Sequence, residues 1–243
     1  GMDQYPEPDD YDGTWGIRDR PFLHFFAQEM SKERQPFHSV VFTLSSHHPY
    51  HLPDGEAKRF GEGKHRIEPT LRYADDALCR FFSEARKESW FDNTLFVITA
   101  DHTADLDRSG QHYSEATDYW VPLVFYWPKV LPARASPHVA QHIDILPTVL
   151  DLIGFDEPFF SMGSSVASGE GRGMAVARSM GFWFAFMAEG NFCFEGEFLS
   201  PTSVRDPLPV EGDGPEVRRL KAAIQQFTTR MAANRLVASR HGT

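Results

Sequence analysis

Two short apolar runs that end in polar chemistry restrict the fold more than any other feature of this sequence. Residues 94–100 read TLFVITA and stop at Asp101-His102, and residues 121–127 read VPLVFYW and stop at Pro128. Runs of this length, rich in β-branched and aromatic residues and lacking polar alternation, suit strands covered on both faces. Residues 38–45 (HSVVFTLS) are of the same kind and predict a further buried strand. Between them lies a helical pattern over 69–88, with Leu71, Ala74, Leu78, Phe81, Phe82 and Ala85 at helical spacing. An earlier helix opens at Asp19-Arg20-Pro21, with Asp19 read as N-cap and Pro21 in the first turn. Phe22, Leu23, Phe25, Phe26 and Met30 form its apolar face. A short helix spans 145–153 and stops at Gly154. Strand, helix, strand, loop, strand, helix is the order of an α/β domain with a mostly parallel sheet flanked by helices.

The pattern changes after residue 170. Segments 174–178, 181–188 and 191–198 read as short strands with turns at Gly181 and at 189–191, which predicts a small antiparallel part. Residues 200–214 are rich in Pro and Gly and read as a linker. A last helix runs from Pro215 to about Ala238, with Val217, Leu220, Ile224, Phe227 and Met231 on one face. The division expected is therefore 1–165 as the main part, with 166–243 packed on the same domain.

The formal net charge is −10, which excludes a broad basic face for nucleic acid. It does not exclude an anionic ester, because a bound cation supplies local positive charge. No apolar run approaches the roughly 20 residues that cross a bilayer, so the chain is expected to be soluble. Cys79 and Cys193 form neither a C-x-x-C motif nor a disulfide framework.

The residues able to do chemistry sit where the strands end, and that is where ligands bind in open α/β sheets. The Asp101 oxygens and a His102 ring nitrogen can hold a borderline divalent cation. A bare Asp-His pair also occurs as a cap beside a surface histidine, so the pair alone does not decide. Ser45-Ser46-His47-His48-Pro49-Tyr50 follows the 38–45 run. His47 there suits a substrate phosphate contact or an acid role, or it is simply a solvated loop residue. His112, in Gln111-His112-Tyr113, is a weaker candidate for the same pocket. His142 and Asp144 are expected to cap and pack the helix at 145–153, and Asp76 to be a structural or solvated carboxylate. Gly61-Glu62-Gly63-Lys64 lacks the first glycine of a phosphate-binding loop, and no G-x-S-x-G or H-E-x-x-H motif is present.

Taken in order, several segments resemble one family. They are Thr43–Tyr50 (TLSSHHPY), Tyr73-Ala74-Asp75, Asp92-Asn93-Thr94, Thr99-Ala100-Asp101-His102, Val121-Pro122-Leu123, and Ile143–Thr148 with Gly154. Over about residues 10–165 the chain is similar to the lipoteichoic acid synthase and phosphoglycerol transferase group, in the sulfatase-like branch of the alkaline phosphatase superfamily. The resemblance implies an incomplete alkaline-phosphatase-like α/β fold, with 1–165 as the C-terminal part of the catalytic domain. It implies Asp101 and His102 as metal ligands and His47 as a contact to the substrate head group. The implied cofactor is a divalent metal, Mn²⁺ first, with Zn²⁺, Mg²⁺ or Ca²⁺ as alternatives. The implied partner is an anionic phosphate- or sulfate-ester substrate, a phosphoglycerol lipid or glycan. It further implies a full-length protein anchored in the bacterial membrane, working on its extracytoplasmic face or in the periplasm.

The family's first strand, with an acidic ligand and a nucleophilic Thr, has no counterpart before residue 38, and C-x-P-x-R is also absent. Catalytic metals usually have three protein ligands and an open position. The expectation is thus a fragment of a phosphoryl-transfer or hydrolase domain with little activity alone. The alternative is a degenerate, non-catalytic module that binds an anionic glycan or a protein.

Overall fold

The computed structural model describes residues 2–104, 115–169, 173–179, 181–188, 190–195, 198–201 and 214–236. The chain is α/β and falls into two compact units: Gly1–Val97 with Val124–Pro132, and Ile98–Leu123 with Ala133–Thr243.

The first unit is built on α1 (Asp19–Met30), the single turn α2 (Ala57–Phe60) and α3 (Ile67–Ala85). Leu23 and Ala27 of α1 recur at helical spacing, as do Ala77, Phe81 and Ala85 of α3, so each helix buries one stripe. These stripes meet Trp90 and Phe91, with Phe26, Phe82, Phe96 and Tyr126 around them. The rings touch edge-on more often than face to face, as aromatic quadrupoles prefer. Sequence places α3 at 69–88; it starts two residues earlier and ends three earlier.

β1 (Phe96–Thr99) and β2 (Leu123–Tyr126) are the cores of the two apolar runs and pair as a two-stranded sheet. The predicted strand at 38–45 is overturned, because this segment joins no strand ladder. Phe37 and Val41 pack on the α1/α3 core, but Val40 is 79% and Phe42 is 59% exposed. β-branched composition favours a strand only where a neighbour accepts its hydrogen bonds. Among the described residues none does.

The long loop after His47 is tied down by charge. Arg20 pairs with Glu56 and Asp76, and Asp76 also pairs with Arg59 and Arg80. Burial pushes the Asp76 carboxyl up, but Arg80, Arg20 and Arg59 outweigh it and hold the group below its ordinary value. A depressed carboxylate contributes stability above its unfolded value of 3.8 and loses that contribution as pH falls through the folded value. Asp76→Ala is expected to lower stability by about 1 kcal/mol near neutral pH and by less in acid, as read by denaturant melts.

In the second unit α4 (Ile145–Leu152) ends at Gly154, whose φ of +71° is the left-handed C-terminal stop read from the sequence. The antiparallel expectation holds: β3 (Met174–Ser179), β4 (Phe182–Met187), β5 (Gly190–Glu195) and β6 (Phe198–Pro201) form a meander in that order. The single strand read at 191–198 is in fact split between β5 and β6. α5 (Pro215–Ala232) packs Leu220, Ala223 and Ile224 on Met174, Val176, Ala185, Met187 and Phe192. Met231, assigned to that apolar face, is 50% exposed near the helix end.

Candidate functional site

β1 stops at Thr99, and the chain turns at Asp101-His102. The His102 amide N–H donates to Asp101 Oδ1 at 2.9 Å, which folds the carboxylate back over its own peptide. His102 Nδ1 lies 2.7 Å from the Thr103 carbonyl oxygen, so it carries the ring proton. The Nε2 atom then stands 3.4 Å from Asp101 Oδ2. A ring nitrogen and a carboxylate oxygen facing each other at this distance can share a proton or a bound cation. Two donors about 2.1 Å from one tetrahedral ion stand about 3.4 Å apart. A histidine that ligates by one nitrogen while the other donates to a backbone carbonyl is the usual arrangement around protein-bound metals. Both side chains are open to solvent, at 55% and 70% exposure, so an ion can reach them. The donor pair therefore fits a divalent ion. Among the described residues no group of three or more His, Cys, Asp or Glu side chains is placed to complete a ligand set.

The carbonyl just before this pair is also held. His142 Nε2 lies 2.8 Å from the Ala100 carbonyl oxygen and donates to it. Sequence assigned His142 to capping and packing; it is exposed, and its ring is used to grip a strand end 42 residues away. Asp144 is the third residue of a capping box whose N-cap is Gln141: Oδ2 takes the Gln141 N–H at 2.9 Å and Oδ1 takes the Ser164 N–H at 2.8 Å.

His47 belongs to the first unit and sits on a tight turn in which its N–H donates to the Leu44 carbonyl at 2.9 Å. Asp19 sets that turn. It was read as a helix cap, but α1 has no side-chain cap. Instead Asp19 Oδ1 accepts the Leu44 and Ser45 N–H groups at 2.8 and 3.0 Å, and the Asp19 N–H donates to Ser45 Oγ at 2.9 Å. The Asp19 carboxyl is 1% exposed, and burial pushes it up against these hydrogen bonds, which favour the ion.

Trp15 was not singled out by sequence, yet it positions the His47 ring. Its indole lies against that imidazole with centroids 4.1 Å apart, and its Nε1–H donates to the His48 carbonyl at 2.9 Å. The signal was a lone Trp in an acidic Pro- and Gly-rich loop, where packing alone does not call for one. His47 Nδ1 is 2.8 Å from the same His48 carbonyl, which leaves Nε2 as the nitrogen available to a ligand. Trp15→Ala is expected to move the His47 ring protons downfield in proton NMR, as the ring current is lost, with little change in stability.

In the same unit a cleft of about 730 Å³ is lined by Arg18, Tyr50, His51, Lys64, His65 and Arg66 among others. Its cationic side chains suit an anion, although Asp12, Asp54 and Glu62 also line it. Asp76 is structural, as anticipated. His112 lies outside the described residues.

The sulfatase family pattern matches residues 1–155. Among curated proteins, the chain is 25% identical over 208 residues to lipoteichoic acid synthase-like YvgJ of Bacillus subtilis (strain 168), covering 75% of this chain and 34% of that protein. It is 27% identical over 191 residues to lipoteichoic acid synthase 1 of the same organism, covering 69% and 30%. The chain thus spans about a third of the length of these relatives. Among solved structures it is similar to a protein in the alkaline phosphatase superfamily from Vibrio parahaemolyticus, with TM-score 0.80 and 26% identity over 98% of this chain and 60% of that one.

Proposed function

The chain belongs to the sulfatase family, and from that premise we propose that it is the metal-binding part of a phosphoryl-transfer or ester-hydrolase domain acting on an anionic phosphate ester. The single observation that carries this reading is the facing pair Asp101 Oδ2 and His102 Nε2 at 3.4 Å, with the far nitrogen of the ring already proton-bound to a carbonyl. Members of this superfamily generally use divalent metal ions. Asp101 and His102 would hold one, with Mn²⁺ the first choice for a carboxylate and imidazole pair open to water. An ion bound there supplies Lewis-acid charge that polarises a phosphoryl or sulfuryl oxygen.

His47 is assigned to the ester. Its ring is held by Trp15 and by the His48 carbonyl, so Nε2 can accept a hydrogen bond from a substrate hydroxyl at little entropic cost. The proposal includes a nucleophile and at least one further ligand supplied from outside these residues. The exposed segment with Val40 and Phe42 supports this, since it has the composition of a strand and joins no ladder among the described residues. The substrate class proposed is a phosphoglycerol-type ester of the cell envelope, met on the extracytoplasmic side of the membrane. Among the described residues no helix is long and apolar enough to cross a membrane.

A second reading, a non-catalytic module that binds an anionic glycan or a protein partner, is favoured by the lack of a third metal donor among the described residues. One experiment separates the readings. The protein, joined to the upstream half of such a domain, is assayed on a phosphodiester and on an aryl sulfate, with Mn²⁺ and with a chelator. Phosphodiester cleavage that the chelator abolishes is the expected result. Cleavage of the sulfate alone reassigns the substrate, and no cleavage of either favours the module.

A further inference from the structure

We propose that Gln141-His142 is a brace that fixes the Asp101-His102 donor pair, with His142 a positioning residue for the metal; the proposal rests on the reading that this pair holds a divalent ion. Ala100 is the first residue beyond β1, so its carbonyl lies past the end of the ladder that holds the strand. That carbonyl belongs to the peptide whose nitrogen is Asp101's, so its orientation sets where the carboxylate can point. His142 Nε2–H grips it at 2.8 Å.

The grip is useful only if His142 is itself anchored, and two contacts provide that. The Gln141 carboxamide pairs with β3 as another strand would: Nε2–H donates to the Met174 carbonyl, and Oε1 accepts the Val176 N–H, both at 3.1 Å. The Gln141 backbone N–H is taken by buried Asp144 at 2.9 Å, which starts the 3-10 turn His142–Asp144. An unbroken path of hydrogen bonds and backbone therefore leads from the edge of the antiparallel sheet through Gln141 and His142 to Ala100 and the donor pair. All of it lies within the second unit. Donors at an exposed strand end would otherwise have to be ordered by the ion itself, and that ordering weakens binding. His142 is exposed, so its ring adds little to core packing, and substitution there tests the hydrogen bond rather than the fold.

The test uses His142→Phe, which keeps a ring but has no donor, and His142→Gln, whose amide nitrogen can stand near the Nε2 position. Two quantities are measured: backbone amide exchange at residues 101–103, which needs no metal, and Mn²⁺ affinity by calorimetry. His142→Phe is expected to speed exchange at 101–103 and to weaken Mn²⁺ about tenfold, the scale of losing an outer contact to a metal site. His142→Gln is expected to restore most of both. Exchange at 101–103 that is unchanged in His142→Phe overturns the brace, as does Mn²⁺ affinity equal to the unsubstituted protein's. Absence of Mn²⁺ binding in the unsubstituted protein overturns the metal reading instead, and the exchange experiment still decides whether the brace exists.

Discussion

On the proposed reading, replacing Asp101 by Ala is expected to reduce metal-dependent ester cleavage by the joined domain about a thousandfold and to abolish the rise in melting temperature that this reading predicts on adding Mn²⁺. The substitution removes one of the two donors of the pair and its only negative charge. It also removes Oδ1, the acceptor for the His102 N–H, so the turn itself loosens. Asp101→Asn separates these effects. The amide oxygen still accepts the His102 N–H, so the turn is kept, while the charge that attracts the ion is gone. In a chelator both variants should melt within about 0.5 kcal/mol of the parent, because the side chain is 55% exposed. Cleavage that persists in Asp101→Ala at the parent rate would remove the metal centre from residues 101–102.

The largest loss of stability is expected at Asp19. Asp19→Ala leaves the Leu44 and Ser45 N–H groups without their acceptor in a buried position, at a cost of about 3 kcal/mol. Asp19→Asn keeps one carbonyl oxygen for both donors and is expected to lose about 1 kcal/mol near pH 4. The pH dependence distinguishes the two acceptors. Burial raises the folded-state value of Asp19 above its ordinary 3.8. Its contribution is therefore most favourable below 3.8 and is lost as pH rises through the folded value. The asparagine does not titrate. The deficit of Asp19→Asn relative to the parent should thus shrink as pH rises from 3.8 through the folded value of Asp19, measured by denaturant unfolding at each pH. A deficit that grows with pH would mean that the hydrogen bonds outweigh burial and that the carboxylate is held ionised. In either case the His47 turn should become mobile in Asp19→Ala, since the same oxygen holds its base.

The parts of the fold that could be read from sequence are those whose neighbours are local or whose apolar surface is continuous. Leu23 of α1 and Phe81 and Ala85 of α3 were read on the buried faces; Ala27 and Ala77, equally buried, were not, and Leu71, which was, is 49% exposed. The runs that became β1 and β2 were read as strands, although they are only half-buried and Thr99 and Val124 are exposed. The α1 start was found at the right place for the wrong reason. Asp-x-Pro is a capping pattern, but the partners of Asp19 lie 25 and 26 residues away, and no local pattern reports them. Residues 38–45 failed in the opposite way. Their composition is right for a strand, yet strand formation depends on a second segment, and composition is silent about that. In the candidate site, Asp101 and His102 were legible because they punctuate an apolar run. The tautomer that makes them a donor pair was not, because it depends on the Thr103 carbonyl. Trp15 and His142 were missed as positioning residues for the same reason: each acts through a carbonyl 33 or 42 residues distant.

The Gln141 carboxamide has a consequence beyond the donor pair. β3 is a terminal strand of its sheet, and a bare terminal strand is a template on which other chains can stack into fibres. By occupying the Met174 carbonyl and the Val176 amide, a single side chain takes two of the positions on which an incoming strand would pair. Gln141 thus doubles as a guard against aggregation, and its loss would be felt first in the protein's shelf life at high concentration.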